Sequence, residues 1–255
     1  MKNLYQTEWH NISFSNFTEL SSSQVAGPDF YDAFYRSLFE NYPDYNALDL
    51  SWRLRKDEIA DWLAATISPG SRVLSVGCGL GYIEQRLWGK HLIDLHVSDY
   101  ASESLRWLRQ VLPAERIHDA KGSKNNSEPY NVVFLCGVDY ALSNKELVDL
   151  LIEVKGSLCN GGEILMISAS FLMDESIIDN FVQSIKDAVK SVLTFLGVRH
   201  REFKGQLWGW MRTRSEYSDA LRSAGFTNVL DGFITTPNQQ TYWIKAGGIS
   251  KVCQN

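Results

Sequence analysis

The chain has 255 residues, is 44% hydrophobic and 12% aromatic, and carries a formal net charge of −5. That much apolar material can build a sizeable core, which suits one α/β domain with an elaboration rather than two full domains. The acidic balance argues against nucleic acid as a partner, and no window approaches the roughly 18 uninterrupted apolar residues of a membrane span.

The opening "MKNLYQTEWHNISFSNFTEL" is too polar for a signal peptide, so the expectation is a soluble, cytoplasmic protein. Cys78, Cys136, Cys159 and Cys253 stand far apart with no C-x-x-C pair. They read as reduced thiols, and no metal site is expected.

Residues 1–68 are rich in aromatics and hold no convincing strand. "PDFYDAFYRSLFENY" and "LSWRLRKDEIADWLAAT" instead place apolar residues at helical spacing, and Ser68, Pro69 and Gly70 close the segment. From Arg72 strands and helices alternate. "RVLSVG" is a strand, "YIEQRLWG" a helix, "LIDLHVSD" a strand, and "ASESLRWLRQVLP" a helix with Ser102 as its N-cap. "RIHDA", "YNVVFLCG" and "GEILMISAS" are further strands, with a helix at "NKELVDLLIEVKGSL" before the last. This alternation means crossover units, hence a mostly parallel sheet with helices on both faces.

Past Ala169 the plain alternation stops. Asp174 starts a long helix whose stripe, Ile178 through Leu196, fits core, pocket wall or dimer seam equally, which leaves monomer and homodimer open. Thr213 and Glu216 form a capping box for a helix ending before Gly225, and "FTNVLDGFITT" with "QTYWIKA" reads as a terminal antiparallel hairpin.

The informative stretch is "VLSVGCGLGYIEQRL": a strand, then Gly77, Gly79 and Gly81 at alternate positions, then a helix. Such a turn lets a ligand approach backbone amides at a helix N-terminus. A dinucleotide fingerprint needs glycine at the sixth position, where this chain has Tyr82. Asp99 closes the second strand, eighteen residues after Gly81, where a carboxylate can accept from both hydroxyls of a ribose.

In this register the loop resembles the G-x-G-x-G loop of class I S-adenosylmethionine-dependent methyltransferases, and the resemblance covers residues 57–170 most closely. It implies a Rossmann-like seven-stranded sheet, an N-terminal lid over residues 1–68, and a methyltransferase domain over 69–255 with a substrate-side insertion at 171–212. It implies S-adenosyl-L-methionine as cofactor, held by Gly77, Cys78, Gly79 and Gly81. Asp99 would hold the ribose and Tyr100 would pack on the adenine. Asp119 and the Ala120 backbone would meet the adenine amino group, and Cys136 the methionine end. Tyr31 and Tyr35, in "FYDAFY", resemble the aromatic lid of small-molecule methyltransferases. One departure stands out: many members have an acid where this chain has Ser75, which can accept a hydrogen bond but supplies no charge.

The implied activity is methyl transfer to a small molecule or glycan, at a hydroxyl, with His200, Asp139 and Tyr140 as candidates to act on the acceptor. Arg199, Arg201, Lys204, Arg212 and Arg214, interleaved with Phe203, Trp208 and Trp210, suggest a substrate with an anionic part. A catalytically silent cofactor-binding subunit and a nicotinamide-dependent reductase are the alternatives.

Overall fold

The computed structural model describes residues 1–88, 92–119, 128–173, 204–236 and 239–248. Seven strands form one sheet: β4 (Arg72–Val76), β5 (Asp94–Asp99), β6 (Ile117–Asp119), β7 (Tyr130–Cys136), β8 (Leu158–Ser168), β10 (Asn228–Thr235) and β11 (Gln240–Gly247). Their spatial order is β10-β11-β8-β7-β4-β5-β6. β4 pairs in parallel with both β5 and β7, and only β11 runs against its neighbours. After β4 the chain moves outward through β5 and β6, then returns to the other side of β4 with β7. A crevice therefore opens at the C-terminal ends of β4 and β7, the place where such sheets bind ligands.

Apolar strand residues face both ways. Val133, Leu135, Ile164 and Met166 pack against α4 (Asn144–Ser157) and α5 (Arg214–Ser223). Val73, Leu95, Val97 and Phe134 pack on the opposite face with α2 (Leu50–Thr66) and α3 (Tyr82–Trp88). The expected Thr213–Glu216 capping box is present on α5, and Ser143 with Glu146 forms a second on α4. α1 (Pro28–Asn41) starts with proline at its first position and buries Tyr31, Phe34, Tyr35 and Leu38, one stripe at helical spacing.

Two expectations are corrected. The N-terminal region does contain strands: β1 (Lys2–Gln6), β2 (Glu8–Trp9) and β3 (Ile12–Ser13). β1 pairs antiparallel with β9 (Gln206–Met211), inside the expected insertion, from Lys2↔Met211 to Gln6↔Gln206. Nothing in β1 is fully buried, so it carries no alternation for the sequence to show. The segment after β5 is not an α-helix but 3₁₀ turns at Ser104–Arg106 and Leu108–Gln110. Ser102 caps nothing there; Ser104 Oγ donates to the Ala101 carbonyl at 2.6 Å, a local bond that competes with the helical ladder.

Residues of the N-terminal segment, the glycine loop and β9 share a third cluster, with Phe14, Phe34 and Tyr35 packed around Trp208, Leu80 and Trp107. The rings of Phe14 and Trp208 stack at 5.1 Å, as do Trp9 and Phe34 at 4.9 Å. Segments from the two ends of the sequence thus form one aromatic cover over the crevice. The helix expected over Asp174–Leu196 lies outside the described residues.

Candidate functional site

A cavity of about 740 Å³ lies beneath that cover, bounded by the glycine loop, the ends of β5 and β7, Tyr31, Tyr35, Trp52 and Trp208. Its size is in the range of small-molecule and cofactor sites. The three loop glycines have different reasons to be glycine. All have positive φ; a Cβ on Gly77 or Gly81 would strike Val138 or Leu108, whereas one on Gly79 would meet only the Tyr35 hydroxyl, at 3.0 Å, beside the cavity. Gly77 and Gly81 let the loop pack, and Gly79 keeps its backbone bare toward a ligand.

Asp99 anchors the loop. Its Oδ2 accepts from Gly79 N–H at 2.8 Å and its Oδ1 from Ala101 N–H at 2.9 Å, while burial raises its pKa above the ordinary carboxylate value. The carboxylate also lines the cavity, where a diol can reach it. Tyr100, 46% exposed, stands on the rim with its ring 5.8 Å from that of Tyr31. Asp119 ends β6 in register with Asp99, and Ala120 lies outside the described residues. Cys78 and Cys136 both line the cavity, and burial raises both thiols above their ordinary value.

Ser75 does not line the cavity. Its hydroxyl donates to Glu84 Oε1 at 2.5 Å, and it is Glu84, on α3, that reaches the cavity. Burial pushes the Glu84 carboxyl up to about 7, against the lowering effect of the Ser75 bond. A carboxylate thus reaches the cavity from the helix after the loop, where the strand itself has a serine. A sequence signal was available: Leu80, Ile83 and Leu87 define an apolar stripe, and Glu84 falls within it. Lys56 carries the same signal, since Trp52, Lys56, Ile59 and Leu63 follow one face of α2. Its ammonium lies 3.8 Å from Cys136 Sγ and 5.8 Å from the centre of the Trp52 ring.

The acceptor candidates fare differently. Tyr140 lines the cavity, stacks on Trp208 at 5.9 Å, and burial pushes its phenol up to about 12. Tyr31 faces it with a buried hydroxyl that has no well-formed hydrogen bond among the described residues. Asp139 is corrected: it is not at the cavity. Its buried carboxylate accepts from Ser168 Oγ at 2.8 Å and from Tyr217, which makes it part of the fold's interior. Arg212 is wholly buried as well, donating to the carbonyls of Asp139 and Leu142 and, at 3.0 Å, to Asn144 Oδ1. Arg214 pairs with Asp231 at 2.8 Å, and Trp208 belongs to the aromatic cover, so these members of the expected basic patch serve structure. His200, with Arg199, Arg201 and Phe203, lies outside the described residues. His10, which the sequence could not place, stacks near Trp9 and Trp52, where burial lowers its pKa to about 4.

The sheet order, counted as strands 3-2-1-4-5-7-6 with the seventh reversed, is decisive when joined to the glycine loop. The fold is that of class I S-adenosylmethionine-dependent methyltransferases. Magnesium protoporphyrin IX methyltransferase from Synechocystis PCC 6803, solved with S-adenosylhomocysteine, superposes with a TM-score of 0.57 at 14% identity over 86% of this chain and 97% of that one. The methyltransferase SibL superposes with a TM-score of 0.53 at 18% identity, over 93% and 65% of the two chains. No family model matches the chain. Curated relatives include the tRNA U34 carboxymethyltransferases of Pseudomonas savastanoi pv. phaseolicola and Pseudomonas syringae, 28% identical over 142 residues. The match covers 47% of this chain and 39% of those proteins. Among the described residues no helix is long and apolar enough to cross a membrane.

Proposed function

We propose that the chain is an S-adenosyl-L-methionine-dependent methyltransferase acting on a small acceptor, with transfer to a hydroxyl as the preferred chemistry. The observation that carries this reading is one cavity bounded by the Gly79 backbone, the Asp99 carboxylate, Glu84 and the buried Tyr31 hydroxyl. These groups fit the cofactor's parts: Asp99 the ribose diol, Glu84 the ammonium, Tyr100 the adenine face. The bound cofactor supplies an activated methyl group on a sulfonium, transferred with the C–S electron pair left on sulfur.

The protein's own task is orientation and exclusion of water, effects worth up to about 7–11 kcal/mol when reacting atoms are held in line. The aromatic cover, with residues 1–68 as its lid, performs the exclusion. Tyr140, with its phenol at about 12, stays protonated at neutral pH and orients an acceptor as a donor rather than taking its proton. His200 is kept as the proposed base, untouched by the described geometry. The relatives named for tRNA suggest a larger acceptor, but a cavity of about 740 Å³ beneath an aromatic cover and a net charge of −5 favour a small one.

Calorimetric titration of the parent protein with S-adenosylhomocysteine and with NADH separates this reading from a reductase, and cofactor turnover with a metabolite extract separates it from a silent subunit. Gly79→Arg fills the ligand's side of the loop and is expected to abolish S-adenosylhomocysteine binding while the protein stays folded by circular dichroism. Unchanged affinity in that variant removes the cofactor assignment.

A further inference from the structure

Beside the main cavity is a second chamber of about 320 Å³, between α2, the ends of β7 and β8, and the start of β11. The two share Trp52, Lys56, Cys136 and Ala169, so the chamber opens onto the main cavity at the end of β7. The chamber's lining includes two cations, Arg55 and Lys56, and no carboxylate. The nearby acid, Glu58, is already engaged: its Oε2 accepts from Gln239 Nε2 at 2.9 Å and from Thr236 Oγ1 at 2.8 Å. Among the described residues no carboxylate lies within ion-pair distance of Arg55 or Lys56, although the protein as a whole is acidic. Arg55, an exposed residue, and Lys56, half-buried at the junction, set two positive groups beside a chamber whose own lining holds no carboxylate, an arrangement an anion completes.

We infer that this side chamber is the acceptor pocket and that the acceptor carries an anionic group, a carboxylate or a phosphate, seated against Arg55 and Lys56. The inference rests on the methyltransferase reading for the word acceptor, and on the chamber alone for the anion. It moves the substrate away from the insertion at 171–212, where the sequence placed it. It also gives the site a division of labour. Glu84 faces the cofactor's positive end, and Lys56, at the junction, faces the acceptor's negative one. The chamber's volume suits a single ring with a short substituent, and the Trp52 indole supplies a flat wall.

The test uses benzoate, phenyl phosphate and the neutral analogue benzamide, titrated into the 255-residue chain with and without saturating S-adenosylhomocysteine, read by ligand-observed NMR and calorimetry. One anion is expected to bind saturably and benzamide to bind at least about tenfold more weakly; which anion binds names the group. Arg55→Gln should weaken the anion by about tenfold, and Thr241→Trp, which fills the chamber from β11, should abolish its binding, both with S-adenosylhomocysteine affinity within twofold of the parent. Benzamide binding as well as the anions, or anion binding indifferent to both substitutions, overturns the inference. A parent that takes S-adenosylhomocysteine but neither anion overturns the chamber alone. A parent that takes an anion in the chamber but no S-adenosylhomocysteine overturns the acceptor role together with the methyltransferase reading.

Discussion

At the scale of single residues, Glu84 changes what the loop can do. With its carboxyl near 7, about half of the molecules hold a proton there at neutral pH. An ammonium placed beside it favours the ionised form, so cofactor binding expels that proton. At pH 7 the binding of S-adenosylhomocysteine should release up to about half a proton, seen as a dependence of the calorimetric enthalpy on the buffer's ionisation heat. Affinity should fall as the pH drops below 7, because protonation removes the attracting charge. Glu84→Gln should abolish the release and weaken binding by about tenfold; a buffer-independent enthalpy in the parent removes Glu84 from the ammonium site.

The same residue shows what the sequence could and could not yield. That the glycine loop and Asp99 stand together at one cavity was readable because they sit at the ends of adjacent strands. Ser75 was readable as a departure, but its hydrogen bond to Glu84 was not, since that carboxylate comes from the next element and meets it only in three dimensions. A charged residue within an apolar helical stripe was the available clue, and it points equally to Lys56. Asp139 misled for the converse reason: it follows β7 as a site residue would, yet the turn directs its side chain into the interior.

At the scale of elements, that turn is held from below. Arg212, just past β9, ties the carbonyls of Asp139 and Leu142 to Asn144 at the start of α4, while Tyr217 of α5 and Ser168 of β8 close on the Asp139 carboxylate. Tyr140 is presented to the cavity from this support. Arg212→Met leaves buried carbonyls and a buried carboxylate uncompensated, at a cost of about 3 kcal/mol. Thermal denaturation should show a Tm lower by ~6–12 °C for a chain of this size. A decrease of under ~2 °C would mean that the network is not what holds the turn. The expected helix after β5 failed at the same scale. Leu105, Leu108 and Leu112 are buried, but a spacing of three and four residues does not distinguish an α-helix from successive 3₁₀ turns.

At the scale of the whole molecule, the mostly parallel sheet and its terminal antiparallel hairpin were legible because alternating strands and helices mean crossover units, which admit few arrangements. The cover was not legible, because its defining contact joins residues about two hundred positions apart and neither strand has the periodicity of a buried one. Pairing of β1 with β9 means that Lys2–Gln6 wait for residues about two hundred positions later in the chain before their backbone is satisfied. Until then Phe14, Phe34 and their neighbours have no Trp208 to pack on, and the growing chain holds an open aromatic surface until β9 is made. The sheet, by contrast, can begin from β4, β5 and β7 in sequence. Pulse-labelled hydrogen exchange during refolding should therefore protect the amides of β4 and β7 well before those of β1 and β9. Simultaneous protection of both sets would show that the cover and the sheet are born as one unit; the expected delay makes sealing of the cavity the closing act of the protein's assembly.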